Sequence, residues 1–163
     1  DFREKAPLRA TPTMYLNAAG DVVPGRSTKT FLSVGVPGTV MGLDAALHKY
    51  GTMTRQQVMA PAIRLARDGY VLEQGDVNIL DTHVKEFAKH PNVAAIFLNH
   101  GKPYVAGERL RQPQLARTLE LISREGGGAF YHGPIARAVV AASRAHGGIL
   151  SMKDFADYAV QWA

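Results

Sequence analysis

Six histidines and one run of three glycines are the residues of this chain whose types could do chemistry by themselves. The histidines stand at 48, 83, 90, 100, 132 and 146. No two are four apart, the spacing that sets two imidazoles on one helical face. With H-E-x-x-H also absent, no local zinc site is written. Gly126-Gly127-Gly128 has the composition of an anion cradle built from backbone amides. It follows a helical pattern and precedes Phe130-Tyr131, so a flexible connector is the expected role. Cysteine is absent, which excludes thiol nucleophiles, disulfides and cysteine metal sites. Neither G-x-S-x-G nor G-x-x-x-x-G-K-[ST] occurs.

The elements that would position reactive groups are written more clearly. Gly35-Val36-Pro37-Gly38-Thr39 leads into a first helix. In it Val40, Leu43, Leu47 and Tyr50 recur at a spacing that lines one face. Lys49 sits in the last turn, where a cation suits the helix dipole. Gly51 is expected to end the helix in the left-handed conformation. A second helix opens at Thr54. Thr54-Arg55-Gln56-Gln57 fits a capping box, and Met53 and Val58 fit a hydrophobic staple. Pro61 lies inside this helix and predicts a kink near Gln57. Gly69 closes it.

Elsewhere the pattern is patchier. Residues 1–32 lack helical period. Met14-Tyr15-Leu16 reads as a short strand and residues 17–25 as a turn. Tyr70-Val71-Leu72 is a short extended piece. Val77, Leu80, Val84 and Phe87 predict a helix over 76–89. Ala94 to Leu98 is a short apolar run, and Asn99-His100-Gly101-Lys102 reads as the turn of a small hairpin. Pro113 starts a helix with Leu115, Leu119 and Ile122 on its apolar face. Pro134 opens another that carries Ile135, Ala138, Val139 and Ala142. Ser151 is an N-cap with Asp154 in the first turn, and Phe155 and Tyr158 are expected in the core. The fold class predicted is mainly α with a few short strands. Residues 1–163 form one segment with no internal domain boundary.

A chain of 163 residues with 46% hydrophobic content can bury a core. The net charge of +5 raises nucleic-acid binding as a possibility. The cations are interleaved with acids, as in Arg67-Asp68, Glu108-Arg109 and Lys153-Asp154. The densest basic stretch, 102–124, contains Glu108 and Glu120 and has no recognition motif. Solvated helix faces account for the charge, and no nucleic-acid partner is expected. No apolar run approaches the ~20 residues of a membrane span. The chain opens on Asp1 rather than Met, so the lack of a leader says nothing about compartment.

Several short motifs stand in order along the chain. They are Asp1-Phe2-Arg3-Glu4-x-Ala6-Pro7, Pro37-Gly38-Thr39-Val40-x-Gly42, Lys49-Tyr50-Gly51 and Pro61-Ala62-Ile63-x-Leu65-Ala66-x-Asp68-Gly69. Ala95-Ile96-Phe97, Phe130-Tyr131-x-Gly133 and Gly147-Gly148-x-Leu150-Ser151-x-x-Asp154 follow. Together they resemble an internal segment of the large subunit of the gamma-glutamyltransferases, the gamma-glutamyltranspeptidase or glutathione hydrolase family. Each motif is short, and their order over the whole chain carries the resemblance.

That resemblance implies a segment of an α+β N-terminal nucleophile hydrolase with a four-layer αββα core. In such enzymes a precursor cleaves itself. The new N-terminal Thr of the small subunit attacks the gamma-glutamyl carbonyl, with its own alpha-amine as base. The glutamyl group passes to water or to an amino acid. The Thr opens a T-T-H-x-S-type motif that this sequence does not contain. Thr11-Pro12-Thr13 and Thr28-Lys29-Thr30 do not match it, and Asp1 has no nucleophilic hydroxyl. No catalytic residue is therefore assigned here. The chain, stopping at Trp162-Ala163 short of the cleavage point, is expected to be inactive alone. One substrate-binding residue carries over: Arg3, whose family counterpart binds the donor alpha-carboxylate, a task suited to the planar guanidinium fork.

The resemblance implies no metal and no organic cofactor. The partners it implies are gamma-glutamyl substrates such as glutathione and the small catalytic subunit of the same precursor. A periplasmic or secreted parent follows from it too. A piece lacking part of its sheet is expected to expose apolar surface and to self-associate. Alternatives within the fold are a cephalosporin or glutaryl acylase and a poly-gamma-glutamate processing relative. A non-catalytic helical binding module is the alternative of another class.

Overall fold

A computed structural model describes residues 3–162 of the chain. Asp1 and Phe2, which open the first motif, and Ala163, which ends the chain, lie outside the described residues. In chain order the elements are α1 (Thr39–Tyr50), α2 (Arg55–Asp68), β1 (Tyr70–Val71), α3 (Gln74–Asp81), α4 (Val84–Phe87) and α5 (Pro91–Phe97). They continue with β2 (Arg109–Leu110), α6 (Pro113–Glu125), α7 (Gly127–Tyr131), α8 (Pro134–Ala145) and α9 (Met152–Ala156). Helix dominates, as the apolar periods predict. Two compact units divide the chain: residues 1–55 with 121–163, and residues 56–120.

The first unit is built on an aromatic core. Val36, Tyr131, Ala136, Val140, Leu150, Phe155 and Tyr158 are buried together, with Val40, Met41, Phe130 and Val139 packed against them. Tyr131 and Phe155 lose all contact with solvent, and each such side chain contributes about 1.5–3 kcal/mol by leaving water. Ser151 caps α9 as expected. Its hydroxyl accepts from the Asp154 amide, and the Asp154 carboxylate accepts from the Ser151 amide in return.

Three expectations in this unit are corrected. The apolar face of α1 is only partly covered, with Val40 against the core. No α1 residue is buried, and Leu43 and Tyr50 are 61% and 69% exposed. Gly51 is extended at φ −76° rather than left-handed; a Cβ there would collide with the Leu47 carbonyl oxygen, which the Gly51 amide already holds at 2.8 Å. On α8 the inward positions are Ala136, Val140 and Ser143, while Ala138 and Ala142 are exposed. The polar member decides the register: Ser143 Oγ accepts from the Leu150 amide at 3.3 Å, which ties α8 to the segment leading into α9.

The second unit centres on Leu72, Val77 and Leu110, with Leu80 and Tyr104 against them. β1 and β2 pair antiparallel, Tyr70 opposite Leu110 and Val71 opposite Arg109. α2 runs through Pro61 and buries Ile63 and Ala66. Gly69 ends it at φ +76°, where a Cβ would lie 2.5 Å from both the Leu110 carbonyl oxygen and Arg111 Cγ. The helix expected over 76–89 is two helices, broken at Thr82-His83. Thr82 Oγ1 donates to the Ile79 carbonyl at 2.7 Å, a local bond that competes with the helix ladder. The apolar run at 94–98 is helical and starts from Pro91. The turn at 99–102 forms, with His100 and Gly101 both at positive φ between bridged Asn99 and Lys102, the signature of a type I′ turn. Met14-Tyr15-Leu16 contributes a single bridge, Leu16 to Val22, in place of a strand.

Candidate functional site

Arg3 is the sequence-predicted site residue, and its side chain stands at the surface of the first unit. Its backbone is held from beneath. Tyr158 Oη donates to the Arg3 carbonyl at 2.7 Å. Two residues on, Lys5 and Val36 exchange amide-to-carbonyl hydrogen bonds of 3.0 and 2.8 Å. Pro7 is buried, and the Leu8 amide donates to Asp154 Oδ1 at 2.6 Å. Residues 3 to 8 are thus tethered at three points.

The groups that make these tethers are themselves fixed. The Tyr158 ring stacks on Tyr131 at 5.3 Å between centroids and 15° between planes. Tyr131 Oη donates to the Pro37 carbonyl at 2.6 Å and accepts from the Met41 amide at 3.2 Å. Burial, with the Glu4 charge added, pushes the Tyr158 phenol above its ordinary value, so it keeps its proton as a donor. Burial also pushes the Asp154 carboxyl up. Hydrogen bonds from the Leu8 amide, the Ser151 hydroxyl and amide, and its own amide outweigh that and leave it below the ordinary value. It is therefore an ionised acceptor at neutral pH.

Tyr158 was legible in the sequence only as a core aromatic, and Asp154 only as a first-turn acid. Their relation to Arg3 was missed. No local signal points to the pairing: Asp154 lies in α9, whereas Tyr158 lies two residues past its end.

Other candidate groups resolve into structure. The expected connector at Gly126-Gly127-Gly128 is instead the start of α7, and the Gly127 amide donates to Asp44 Oδ2 at 3.1 Å. The anion at this glycine run is the chain's own carboxylate. Thr82 Oγ1 lies 2.6 Å from His83 Nδ1, the spacing of a nucleophile and its base. The hydroxyl already donates to the Ile79 carbonyl, so its proton is committed to the helix break. Among the described residues no three His, Asp or Glu side chains gather as a metal site would require, and no helix is long and apolar enough to cross a membrane.

The fold matches solved structures closely. It superposes on the crystal structure of Helicobacter pylori gamma-glutamyltranspeptidase with a TM-score of 0.94 at 40% identity, covering 99% of this chain and 47% of that one. The fold class is therefore a mainly helical segment of an N-terminal nucleophile hydrolase. The chain belongs to the gamma-glutamyltranspeptidase family, whose model matches residues 1–163. It is 55% identical over 159 residues to the glutathione hydrolase proenzyme of Pseudomonas sp. (strain A14), covering 97% of this chain and 28% of that protein. It is 40% identical over 159 residues to the glutathione hydrolase proenzyme of Escherichia coli (strain K12), covering 97% of this chain and 27% of that protein. The chain thus spans a little over a quarter of the length of these curated relatives.

Proposed function

We propose that this chain is part of the large subunit of an enzyme that cleaves glutathione and other gamma-glutamyl amides. The glutamyl group is transferred to water or to an amino acid or peptide. The match of the family to the whole chain carries this reading. The nucleophilic Thr comes from the small subunit of the same precursor. Its hydroxyl adds to the gamma-carbonyl while its alpha-amine takes the proton. The amine of the donor leaves with that proton, and an ester remains. Water or an acceptor amine then breaks the ester and restores the hydroxyl. The isolated chain has no part in these bond changes and is inactive.

In this reading Arg3 binds the alpha-carboxylate of the donor through two parallel N–H···O bonds and so selects the glutamyl end. Its exposed position on a tethered backbone supports that role. The test uses the full-length processed enzyme and gamma-glutamyl-p-nitroanilide. Arg3→Ala is expected to lower kcat/KM by about 100-fold, the size of a lost charge-assisted pair. Near-normal turnover by that variant rules out the clamp. Failure of the unsubstituted processed enzyme to cleave any gamma-glutamyl amide overturns the enzyme reading itself.

A periplasmic or secreted location is proposed for the parent. The chain by itself is proposed to self-associate through its open apolar side chains. Leu43, Val58 and Leu65 are each about half exposed or more, at 61%, 48% and 55%, and support this. Sedimentation velocity of the 163-residue chain reads it directly, and a monomer at all concentrations refutes it.

A further inference from the structure

We propose that Tyr158 and Asp154 are positioning residues for donor binding: they seat the backbone of residues 3–8 so that the Arg3 guanidinium is presented to a carboxylate. This rests on the proposed role of Arg3 and extends it to two residues at the other end of the chain.

The geometry is specific. An exposed arginine reaches its target from wherever its backbone is held, and a long side chain gives up rotamer freedom on binding. Fixing the backbone removes one source of that cost before the donor arrives. Two of the three tethers on residues 3–8 come from Asp154 in α9 and from Tyr158, just past the end of that helix. Tyr158 Oη takes the Arg3 carbonyl at 2.7 Å, and Asp154 Oδ1 takes the Leu8 amide at 2.6 Å. The two donor–acceptor directions are opposite. The short stretch from α9 to Tyr158, two residues past the helix end, thus grips a carbonyl at one end of the segment and an amide at the other, which fixes its direction as well as its place.

Neither group is needed in this form for packing alone. The Tyr158 ring fills the core and stacks on Tyr131, a task phenylalanine would do. Its hydroxyl is what reaches Arg3. The carboxylate of Asp154 would complete its capping box through Oδ2 alone, which accepts from the Ser151 amide at 2.7 Å and the Ser151 hydroxyl at 2.6 Å. The second oxygen is spent on Leu8. The phenol is a rigid donor because Tyr131, beneath it, is bonded to Pro37 and Met41.

The test separates seating from general packing. In the full-length processed enzyme, KM and kcat are measured for gamma-glutamyl-p-nitroanilide. Ki is measured for 4-aminobutyryl-p-nitroanilide, a competitor that lacks the alpha-carboxylate. Tyr158→Phe is expected to raise KM about three- to ten-fold, the size of one neutral hydrogen bond. Its kcat is expected within about two-fold of the unsubstituted enzyme, and Ki unchanged, so that the preference for the carboxylate falls with KM. In an Arg3→Ala background the same substitution is expected to leave KM and Ki alone, because the effect acts through Arg3. Asp154→Asn, read by the same ratio, serves if Tyr158→Phe does not mature. If Arg3→Ala itself leaves the carboxylate preference intact, the clamp reading fails and this inference with it. If Arg3→Ala abolishes the preference while Tyr158→Phe and Asp154→Asn leave KM unchanged, this inference alone fails. Equal weakening of substrate and competitor, or a fall in kcat alone, assigns the two residues to packing and overturns the proposal.

Discussion

Arg55 Nε donates to Asp44 Oδ1 at 2.6 Å, and the other oxygen of that carboxylate accepts the first amide of α7, from Gly127, at 3.1 Å. One carboxylate therefore joins α1, the start of α2 and the start of α7. Both side chains are less than one third exposed, 29% for Arg55 and 23% for Asp44, so the pair is partly shielded from water. Replacing Asp44 by Ala leaves a cation and an amide without their acceptor. The expected loss is about 1–3 kcal/mol, read as a fall in the urea midpoint at unchanged m-value. A loss within error of zero would mean that water replaces the carboxylate at no cost.

Two glycines make opposite predictions about repair. Gly69 holds φ +76° with the Leu110 backbone oxygen 2.5 Å from any added Cβ, and backbone cannot step aside. Gly126 holds φ +70° and ψ −158°, a region open essentially to glycine alone. Its nearest obstacle is Arg55 Nη2 at 2.7 Å, the end of a flexible side chain. Gly69→Ala is expected to destabilise the chain by more than about 2 kcal/mol in any background. Gly126→Ala should cost less once Arg55→Ala is present, because the two closest contacts are gone and only the backbone strain and Asp44 Oδ2 at 3.1 Å remain. A double-mutant cycle by thermal denaturation gives both numbers, and additivity at Gly126 and Arg55 contradicts the steric account.

Asp154 makes the acid limb of stability testable. Its folded-state value is lowered, so the ionised form is preferred in the native state. That contribution is fully present above the unfolded value of about 3.9 and is lost as pH falls through the folded value. Stability of the unsubstituted chain should drop steeply below about pH 4. Asp154→Asn should be weaker at pH 7 and flatter across the acid range. Equal acid slopes in the two proteins would show that other carboxylates set the limb.

The buried phenols make the alkaline counterpart. Burial raises Tyr131, partly offset by its bond from the Met41 amide, and burial with the Glu4 charge raises Tyr158. Raised values favour the neutral form, so their contribution is present below about pH 10 and lost as pH rises past the folded values. Burial and the Glu108 charge raise Tyr104 as well, so absorbance of tyrosinate should show three phenols titrating late, together with unfolding. Tyr131→Phe is expected to remove one late phenol and about 1–3 kcal/mol, since the Pro37 carbonyl and Met41 amide lose their partner. Ordinary titration of all six tyrosines in the folded chain contradicts the burial argument.

Helix existence was readable because the apolar periods of α1, α2, α6 and α8 are long enough to stand above chance. Their partners were not. Leu43 and Tyr50 recur on schedule, yet period alone cannot say which members of a face meet protein and which meet water, and here Val40 meets the core while Leu43 and Tyr50 meet water. Polar atoms caused most of the remaining misses. Ser143 turned α8 because a buried hydroxyl took the Leu150 amide. Thr82 split a helix by taking a carbonyl within its own turn. The glycine run became the start of a helix because Asp44, more than eighty residues away, supplied its acceptor. Arg3 was singled out by family resemblance, whereas Tyr158 and Asp154, which hold its segment, act across 155 and 146 residues of sequence. No local pattern encodes such pairs.

The first unit is assembled from both ends of the chain, with residues 56–120 set between its halves. During synthesis the intervening unit leaves the ribosome complete, with all its own contacts available, while residues 1–55 still lack Tyr131, Phe155 and Tyr158. Closure across so long a stretch is the slow kind of folding step. Until α9 emerges, the Arg3 carbonyl and the Leu8 amide have only water to bind. Residues 3–8 therefore become ordered only after α9 and Tyr158 have been made, and a ribosome stalled before Ser151 would carry a chain in which these residues remain open to proteases.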